Sequence, residues 1–364
     1  MDYNWKFVML NPFKFGSVID NDFFTDKIAE TKEVTTVLNS NNHLILISPR
    51  RFGKTNLINK ATNLLNRPVI YLDLQLITDV SDLATQLLKK VLKIDRWENV
   101  KHLLVNFRIV PTIQLNPLTN NAEVSFFSTT SNNFTPLEDV LNLIEKIGEK
   151  GAKPIVVFDE FQEVISLNKT LSKQMRATMQ HHKHVNYVFL GSMESMMKSI
   201  FETKKSPFYH FGYLMTLSKI PYDDFFDYLN TRFESVTDKN SEITTQILDF
   251  TTQHPYYTQQ LAFYCWNFLE KEKYRETMLN DVINNIVRIH DTDFERLWNT
   301  ISKTDKKILI AIAMQEKIST LPQPTSTTYS GLKRLITQGY LIKNEHYELD
   351  DPFFREWIVG KRNV

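Results

Sequence analysis

The stretch Ile45 to Asn56, ILISPRRFGKTN, limits what this chain can fold into more than any other. A short apolar run, Leu44 to Ile47, leads into a bend that opens at Ser48 and closes on Gly53, Lys54 and Thr55, and residues able to start a helix follow. That order is strand, loop, helix. In such a loop the backbone N–H groups converge on an anion, and the following helix points its positive end at the same place. The usual pattern is G-x-x-x-x-G-K-[ST], and here Ser48 stands at its first position. On this reading Ser48, Pro49, Arg50, Arg51, Phe52, Gly53, Lys54, Thr55 and Asn56 form a cradle for a nucleotide's phosphates. Lys54 would reach the β- and γ-phosphates and the Thr55 hydroxyl would sit on Mg²⁺. A bare G-K-[ST] tripeptide arises by chance in roughly one chain in five of this length, so the reading requires an acidic strand end downstream.

That strand end lies at Lys153 to Glu163, KPIVVFDEFQE. Ile155 to Phe158 is a continuous apolar run, the signature of a strand buried on both faces, and it ends in Asp159 and Glu160. Asp159 suits Mg²⁺ and Glu160 suits the orientation or deprotonation of an attacking water. The competing reading is an acidic pair capping a helix. A third run, Tyr187 to Leu190, ends in Gly191-Ser192. Ser192 is placed either to sense the γ-phosphate or to cap the helix Met193 to Phe201, two compatible roles. Between the loop and these runs, a helix from Lys54 to Asn66 and a strand Val69 to Asp73 complete a βαβ unit. Its right-handed crossover puts the loop at the carboxyl end of a parallel sheet, so the fold class is α/β.

At 364 residues the chain is long enough for two or three domains. Lys+Arg 43 against Asp+Glu 42 gives no global charge argument for nucleic acid or membrane. Cys265 is the single cysteine, which excludes a disulfide framework and favours a reducing compartment. With no apolar segment near membrane-spanning length and no leader-like N-terminus, the expectation is a cytoplasmic protein.

The remaining segments follow in order. Residues 11–27, with four phenylalanines, read either as a strap over the core or as the wall of a base pocket. A helix from about Thr25 to Leu38 precedes the first strand, and Ser81 is the expected N-cap of a helix reaching Leu92. Alternation around 107–115 and 122–127, separated by NPLTNN, predicts an inserted hairpin at about 105–130. A helix is expected from Phe161 to His182. It ends near His181, His182 and His184, which are too close together to share a helical face as zinc ligands. From Asp223 helical patterns cover 222–236, 241–252, 256–271 and 277–297, with Pro255 as a helix start. The cluster His254-Pro255-Tyr256-Tyr257 reads either as an approach to a nucleotide base, with His254 and Pro255 the candidate contacts, or as plain helix packing. The last 60 or so residues read helix, helix, two-stranded wing, which is the winged-helix order. Residues 303–364 carry ten Lys/Arg and seven Asp/Glu, a mild surplus; Lys333 and Arg334 lie where a recognition helix would meet DNA, while many winged helices bind only a protein partner. The expected division is 1–220 for the nucleotide domain, 221–300 for a helical lid and 301–364 for the winged helix.

Taken together, NPFKFG with FFTDK, SPRRFGKTNL, IVVFDEFQEV, YVFLGSMESMM, HPYYTQ and ELDDPFFREWI resemble the archaeal-type ATPase family of P-loop proteins, part of the STAND branch near the AAA+ ATPases. The resemblance spans nearly the whole chain. It implies an ASCE-type sheet, in which the 187–190 strand lies between the loop strand and the strand ending at Asp159. It also implies ATP and ADP as ligands, Mg²⁺ as cofactor, and a slow ATPase acting as a conformational switch, with a nucleotide-dependent oligomer as a further expectation. Glu160, Lys54 and Ser192 would be its catalytic residues and Thr55 and Asp159 its metal ligands. Three positions depart from the family pattern: Ser48 replaces a glycine, Gln253 stands where glycine often precedes His-Pro, and His210 stands where an arginine near the γ-phosphate is often found. Two alternatives stay open, a nucleotide-gated DNA-binding protein acting through Lys333 and Arg334, and a nucleotide-binding scaffold with negligible hydrolysis.

Overall fold

A strand whose every residue is apolar must be covered on both faces, and LILI at 44–47 is buried at all four positions. The computed structural model describes residues 10–16, 27–94, 97–115, 122–126, 133–343 and 346–362. The chain divides into two compact units, residues 28–49 with 54–217, and residues 1–27, 50–53 and 218–364.

The first, the sheet unit, contains α1 (Ile28–Asn39), β1 (Leu44–Ile47), α2 (Lys54–Leu65), β2 (Val69–Asp73), α3 (Val80–Ile94), α4 (Trp97–Leu104), β3 (Thr112–Leu115), β4 (Ala122–Ser125), α5 (Thr135–Lys150), β5 (Ile155–Asp159), α6 (Val164–Leu167), α7 (Leu171–Met179), β6 (Asn186–Gly191), α8 (Glu194–Phe201) and β7 (Tyr213–Thr216). Five strands form one parallel sheet in the order β2-β5-β6-β1-β7. β6 therefore separates β1 from β5, as the resemblance implied. β5 and β6 are buried at every position. Phe158 of β5 lies 6.0 Å from Phe189 of β6 between ring centres, and Phe161, just after β5, lies 4.6 Å from Phe189. Arg67 ties the amino-end loops together by donating to the carbonyls of Lys153 and Leu38 and to Asn186 Oδ1. β3 and β4 form the expected antiparallel hairpin, and their connection at 116–121 lies outside the described residues.

Two local expectations fail for the same reason, a side chain competing for backbone donors. Asp79, not Ser81, opens α3, because its Oδ1 accepts the N–H groups of Ser81 and Asp82. The helix expected over 161–182 is broken into a 3₁₀ turn at 161–163, α6 and α7. Asn168 breaks it by adopting extended backbone and accepting from the Thr170 N–H.

The second, the helical unit, contains α9 (Tyr222–Phe233), α10 (Asn240–Thr251), α11 (Pro255–Leu269), α12 (Met278–Ile289), α13 (Asp291–Thr300), α14 (Lys303–Ala313), α15 (Thr325–Thr337), β8 (Leu341–Lys343), β9 (Tyr347–Leu349) and α16 (Pro352–Arg362). The single helical pattern at 277–297 is two helices, because His290 leaves helical geometry between α12 and α13. β8 and β9 pair antiparallel, and the chain turns into β8 at Gly339, whose φ of +77° suits glycine. Phe13 is buried against Phe233 and Trp266, with ring centres 4.9 and 6.0 Å away. Residues 11–15 thus behave as a strap over this unit's core; residues 17–26, with the expected start of the first helix, lie outside the described ones. Among the described residues no helix is long and apolar enough to cross a membrane.

Candidate active site

In a parallel sheet all carboxyl ends point the same way, and β1, β6 and β5 are neighbours. Their ends deliver Ser48, Ser192 and Asp159 to one edge. The Ser48 N–H donates to the Gly191 carbonyl at 3.2 Å, so the β1–β6 ladder runs on into the loop. Buried Lys54 opens α2 and donates from Nζ to the carbonyls of Ser48 and Pro49 at 2.8 and 3.0 Å. The Thr55 hydroxyl donates to Asp159 Oδ2 at 3.3 Å, and the Tyr71 hydroxyl from β2 donates to the same oxygen. Asn56 follows on the first turn of α2, half-buried.

Burial raises the Asp159 carboxyl above its ordinary range, opposed by the Tyr71 hydrogen bond, the Glu160 N–H and the charge of Lys54. Burial, with the bond to Asp159, likewise pushes the Tyr71 phenol up and keeps it a donor. Glu160 sits in the left-handed region at φ 49° and ψ 47°. For a non-glycine residue this costs about 1–3 kcal/mol and is retained where surroundings enforce it. The kink sends Phe161 into the aromatic core and buries the Gln162 side chain completely. Glu160 Oε2 then accepts from Ser192 Oγ at 2.6 Å and from Gln162 Nε2 at 2.5 Å. Ser192 is not the cap of α8. Met193 holds that position and makes no side-chain cap bond.

The structure thus brings Ser48, Pro49, Lys54, Thr55, Asp159, Glu160 and Ser192 together within the sheet unit. Asn56 belongs to the same unit, and Arg50, Arg51, Phe52, Gly53, His254, Pro255, Lys333 and Arg334 belong to the helical unit. There Arg51, left-handed at φ 64°, donates to the Tyr257 hydroxyl at 2.8 Å and lies 4.5 Å from the Tyr256 ring centre. Phe52 stands 5.0 Å from the His254 ring, and its carbonyl accepts from Lys27 Nζ. Gly53, at φ +85°, would place a Cβ 3.6 Å from that Nζ. Arg50 is exposed. His254 caps α11, its Nδ1 accepting the Tyr256 N–H, and Pro255 is the first helical residue. Arg334 donates twice to Asp305, at 2.7 and 2.8 Å, while Lys333 is exposed. His182 faces the Tyr187 hydroxyl at 2.6 Å, and His184 pairs with Glu145, which also accepts the N–H groups of Lys183 and His184.

Tyr71 and Gln162 were missed from the sequence. Tyr71 had one signal, a hydroxyl within the run VIYL that precedes Asp73. Gln162 had another, an amide two residues beyond Glu160 on a turn whose neighbour enters the core.

Residues 24–261 match the family model described as an ATPase domain predominantly from Archaea. The chain belongs to this family. Like its relatives it is an α/β P-loop ATPase. No curated protein matches its sequence. Among solved structures, this ATPase is similar to the Walker-type ATPase PABY2304 of Pyrococcus abyssi. The TM-score is 0.65 at 16% identity, covering 93% of this chain and 97% of that one. It is also similar to the ADP form of the ORC2 protein of Aeropyrum pernix, with a TM-score of 0.51, 11% identity, and 97% and 100% covered. The ORC1 protein of the same organism, solved in complex with DNA, gives a TM-score of 0.50 at 13% identity, with 94% and 95% covered. At such identities the likeness is one of fold.

Proposed function

We propose that this ATPase is a Mg²⁺-dependent molecular switch of the STAND type, hydrolysing ATP slowly enough to dwell in each nucleotide state. The convergence of Thr55, Asp159, Glu160 and Ser192 on one sheet edge supports this reading most directly. The donor set fits the ion, since Asp159 and Thr55 offer hard oxygens 3.3 Å apart. When bound there, Mg²⁺ would neutralise charge developing on the phosphoryl oxygens. Lys54 would bind the β- and γ-phosphates. Glu160 would take a proton from the attacking water while the water oxygen bonds to the γ-phosphorus and the bond to the bridging oxygen breaks, leaving ADP and phosphate. Residues 1–220 would serve as the ATPase domain, 221–300 as a lid and 301–364 as a winged helix. Cytoplasmic residence and a nucleotide-dependent oligomer complete the reading.

Titration with a fluorescent ADP in Mg²⁺ tests the core of it. Lys54→Ala should weaken binding at least about tenfold, the loss of a charge-assisted contact. Wild-type affinity in that variant would remove the phosphate site from this loop.

A second reading, a DNA contact through the C-terminal helices, draws on the DNA complex of the ORC1 relative and on exposed Lys333. Arg334 supports it less, being held by Asp305. Lys333→Ala should lower the slope of log affinity against log salt by roughly 0.9 if Lys333 meets a phosphate. An unchanged slope would remove Lys333 from any such contact.

A further inference from the structure

The carboxylate of Glu160 is gripped at one oxygen by two donors from different elements. Ser192, at the end of β6, donates to Oε2 at 2.6 Å, and Gln162, on the 3₁₀ turn after β5, donates to the same atom at 2.5 Å. Gln162 is 0% exposed, yet its own Oε1 has no hydrogen-bond partner. Burying an amide with its carbonyl oxygen unsatisfied is unfavourable, and an apolar side chain of the same length avoids that cost. The amide cannot gain by turning over, because Oε1 would then face the Glu160 carboxylate, acceptor against acceptor. Its orientation is fixed by the group it serves.

The backbone on both sides accommodates this arrangement. A Cβ at Gly191 would come within 2.8 Å of Gln162 Oε1 and 2.3 Å of Met197 Sδ, so glycine there leaves room for the amide. Glu160 itself holds a left-handed conformation, which lets Gln162 fold back toward the carboxylate two residues earlier. A glutamine with an unsatisfied oxygen, a glycine that admits it and a strained glutamate are three local departures from what packing alone favours. Such departures gather where a site requires them.

We propose that Gln162 is a positioning residue for ATP hydrolysis. With Ser192 it holds Oε2 of Glu160 and leaves Oε1 as the atom that takes the proton from the attacking water. The proposal rests on the reading of Glu160 as the base. In this role Gln162 acts through the orientation of that carboxylate, which its Nε2 holds.

The test uses the full chain with Gln162→Met, which fills similar volume without the donor. Steady-state Mg²⁺-ATP hydrolysis, fluorescent-ADP affinity and thermal melting are read side by side. The expected result is a kcat lower by about tenfold or more, the usual effect of losing a group that orients a reactive one. KM and ADP affinity should stay within about twofold and the melting temperature equal or higher, since an unsatisfied buried oxygen has gone. A packing role predicts no change in kcat, and a stable variant with wild-type kcat overturns the proposal. Gln162→Leu is made alongside, so that if one variant fails to fold the other decides. Glu160→Gln is measured alone and with Gln162→Met. If Glu160→Gln keeps wild-type turnover, the assignment of the base falls. If it is inactive while Gln162→Met is wild-type, only the positioning role falls. The double variant should be no slower than Glu160→Gln alone, because no base remains to be held.

Discussion

Among the described residues two adjacent acid pairs close strands, Asp159-Glu160 at the end of β5 and Asp350-Asp351 after β9, and both precede a helical turn. Their fates differ. Asp351 Oδ1 accepts the N–H groups of Phe353 and Phe354 at 2.9 and 3.1 Å, capping α16, which starts at Pro352. Asp350 lies 3.5 Å from His254, the cap of α11. Backbone donors and a neighbouring helix start occupy that pair. Asp159 instead meets two hydroxyls at Oδ2, from Thr55 and Tyr71, beside the N–H of its own neighbour Glu160 at Oδ1, and Glu160 meets only side-chain donors. An acidic strand end is therefore ambiguous in sequence. What separates the pair proposed for chemistry from the capping pair is whether helix N–H groups have already taken up its oxygens.

The largest effect that would break this comparison is on turnover. Glu160→Gln should reduce kcat by about 10²–10⁴-fold, as expected for losing a positioned general base, with ADP affinity nearly unchanged. Asp351→Ala should leave kcat within about threefold and instead cost roughly 0.5–2 kcal/mol in denaturant unfolding, the range for a lost N-cap. Asp351→Ser, which restores a capping oxygen, should recover most of that stability. Loss of turnover in Asp351→Ala at unchanged stability would erase the distinction.

Acid should sharpen the contrast at an intermediate scale. His43, at the amino end of β1, accepts the Tyr187 N–H on Nδ1. Burial, helped by the charges of Lys153, Arg176 and His182, lowers its pKa to about 4. Below pH 6.5 the unfolded imidazole binds a proton that the folded one refuses until about pH 4. Its contribution is thus complete above 6.5 and lost as pH falls through that window, up to about 3 kcal/mol. His43→Asn keeps an acceptor but cannot titrate, and should flatten the pH dependence of unfolding between 7 and 4.5. An unchanged dependence would place the cause elsewhere.

A smaller effect is expected at Gly191, where alanine would crowd Met197 and Gln162. Gly191→Ala should cost about 1–3 kcal/mol of stability by overpacking and lower kcat through the displaced amide. Wild-type values in both measurements would mean that neighbouring side chains yield freely.

The parts of the site carried by contiguous residues were legible. The runs LILI, IVVF and YVFL announce buried strands, and each ends in the polar residues that reach the sheet edge. Tyr71 and Gln162 were not, because their partners are set by strand order and by one left-handed residue, and neither leaves a periodic trace. Helix breaks at Asn168 and His290 were lost for a related reason. The apolar pattern continues across each of them, while one residue's backbone geometry ends the helix. The cap at Asp79 shows the limit at finer scale, since Asp79 and Ser81 are both competent caps and backbone geometry chooses between them.

The insertion of β6 between β1 and β5 also governs when the site can exist. Leu44 pairs with Val188 on one side and Tyr213 on the other, so the strand that carries the phosphate loop has no sheet neighbour until those distant segments are present. Closing loops of that length delays native pairing relative to local contacts. A ribosome that has made only the loop, its helix and β2 has released the most recognisable part of the protein without a sheet to hold it. The sheet whose edge carries Ser48, Asp159 and Ser192 is complete only after β7 has emerged, and ATP bound at that edge would favour a finished sheet over a partial one.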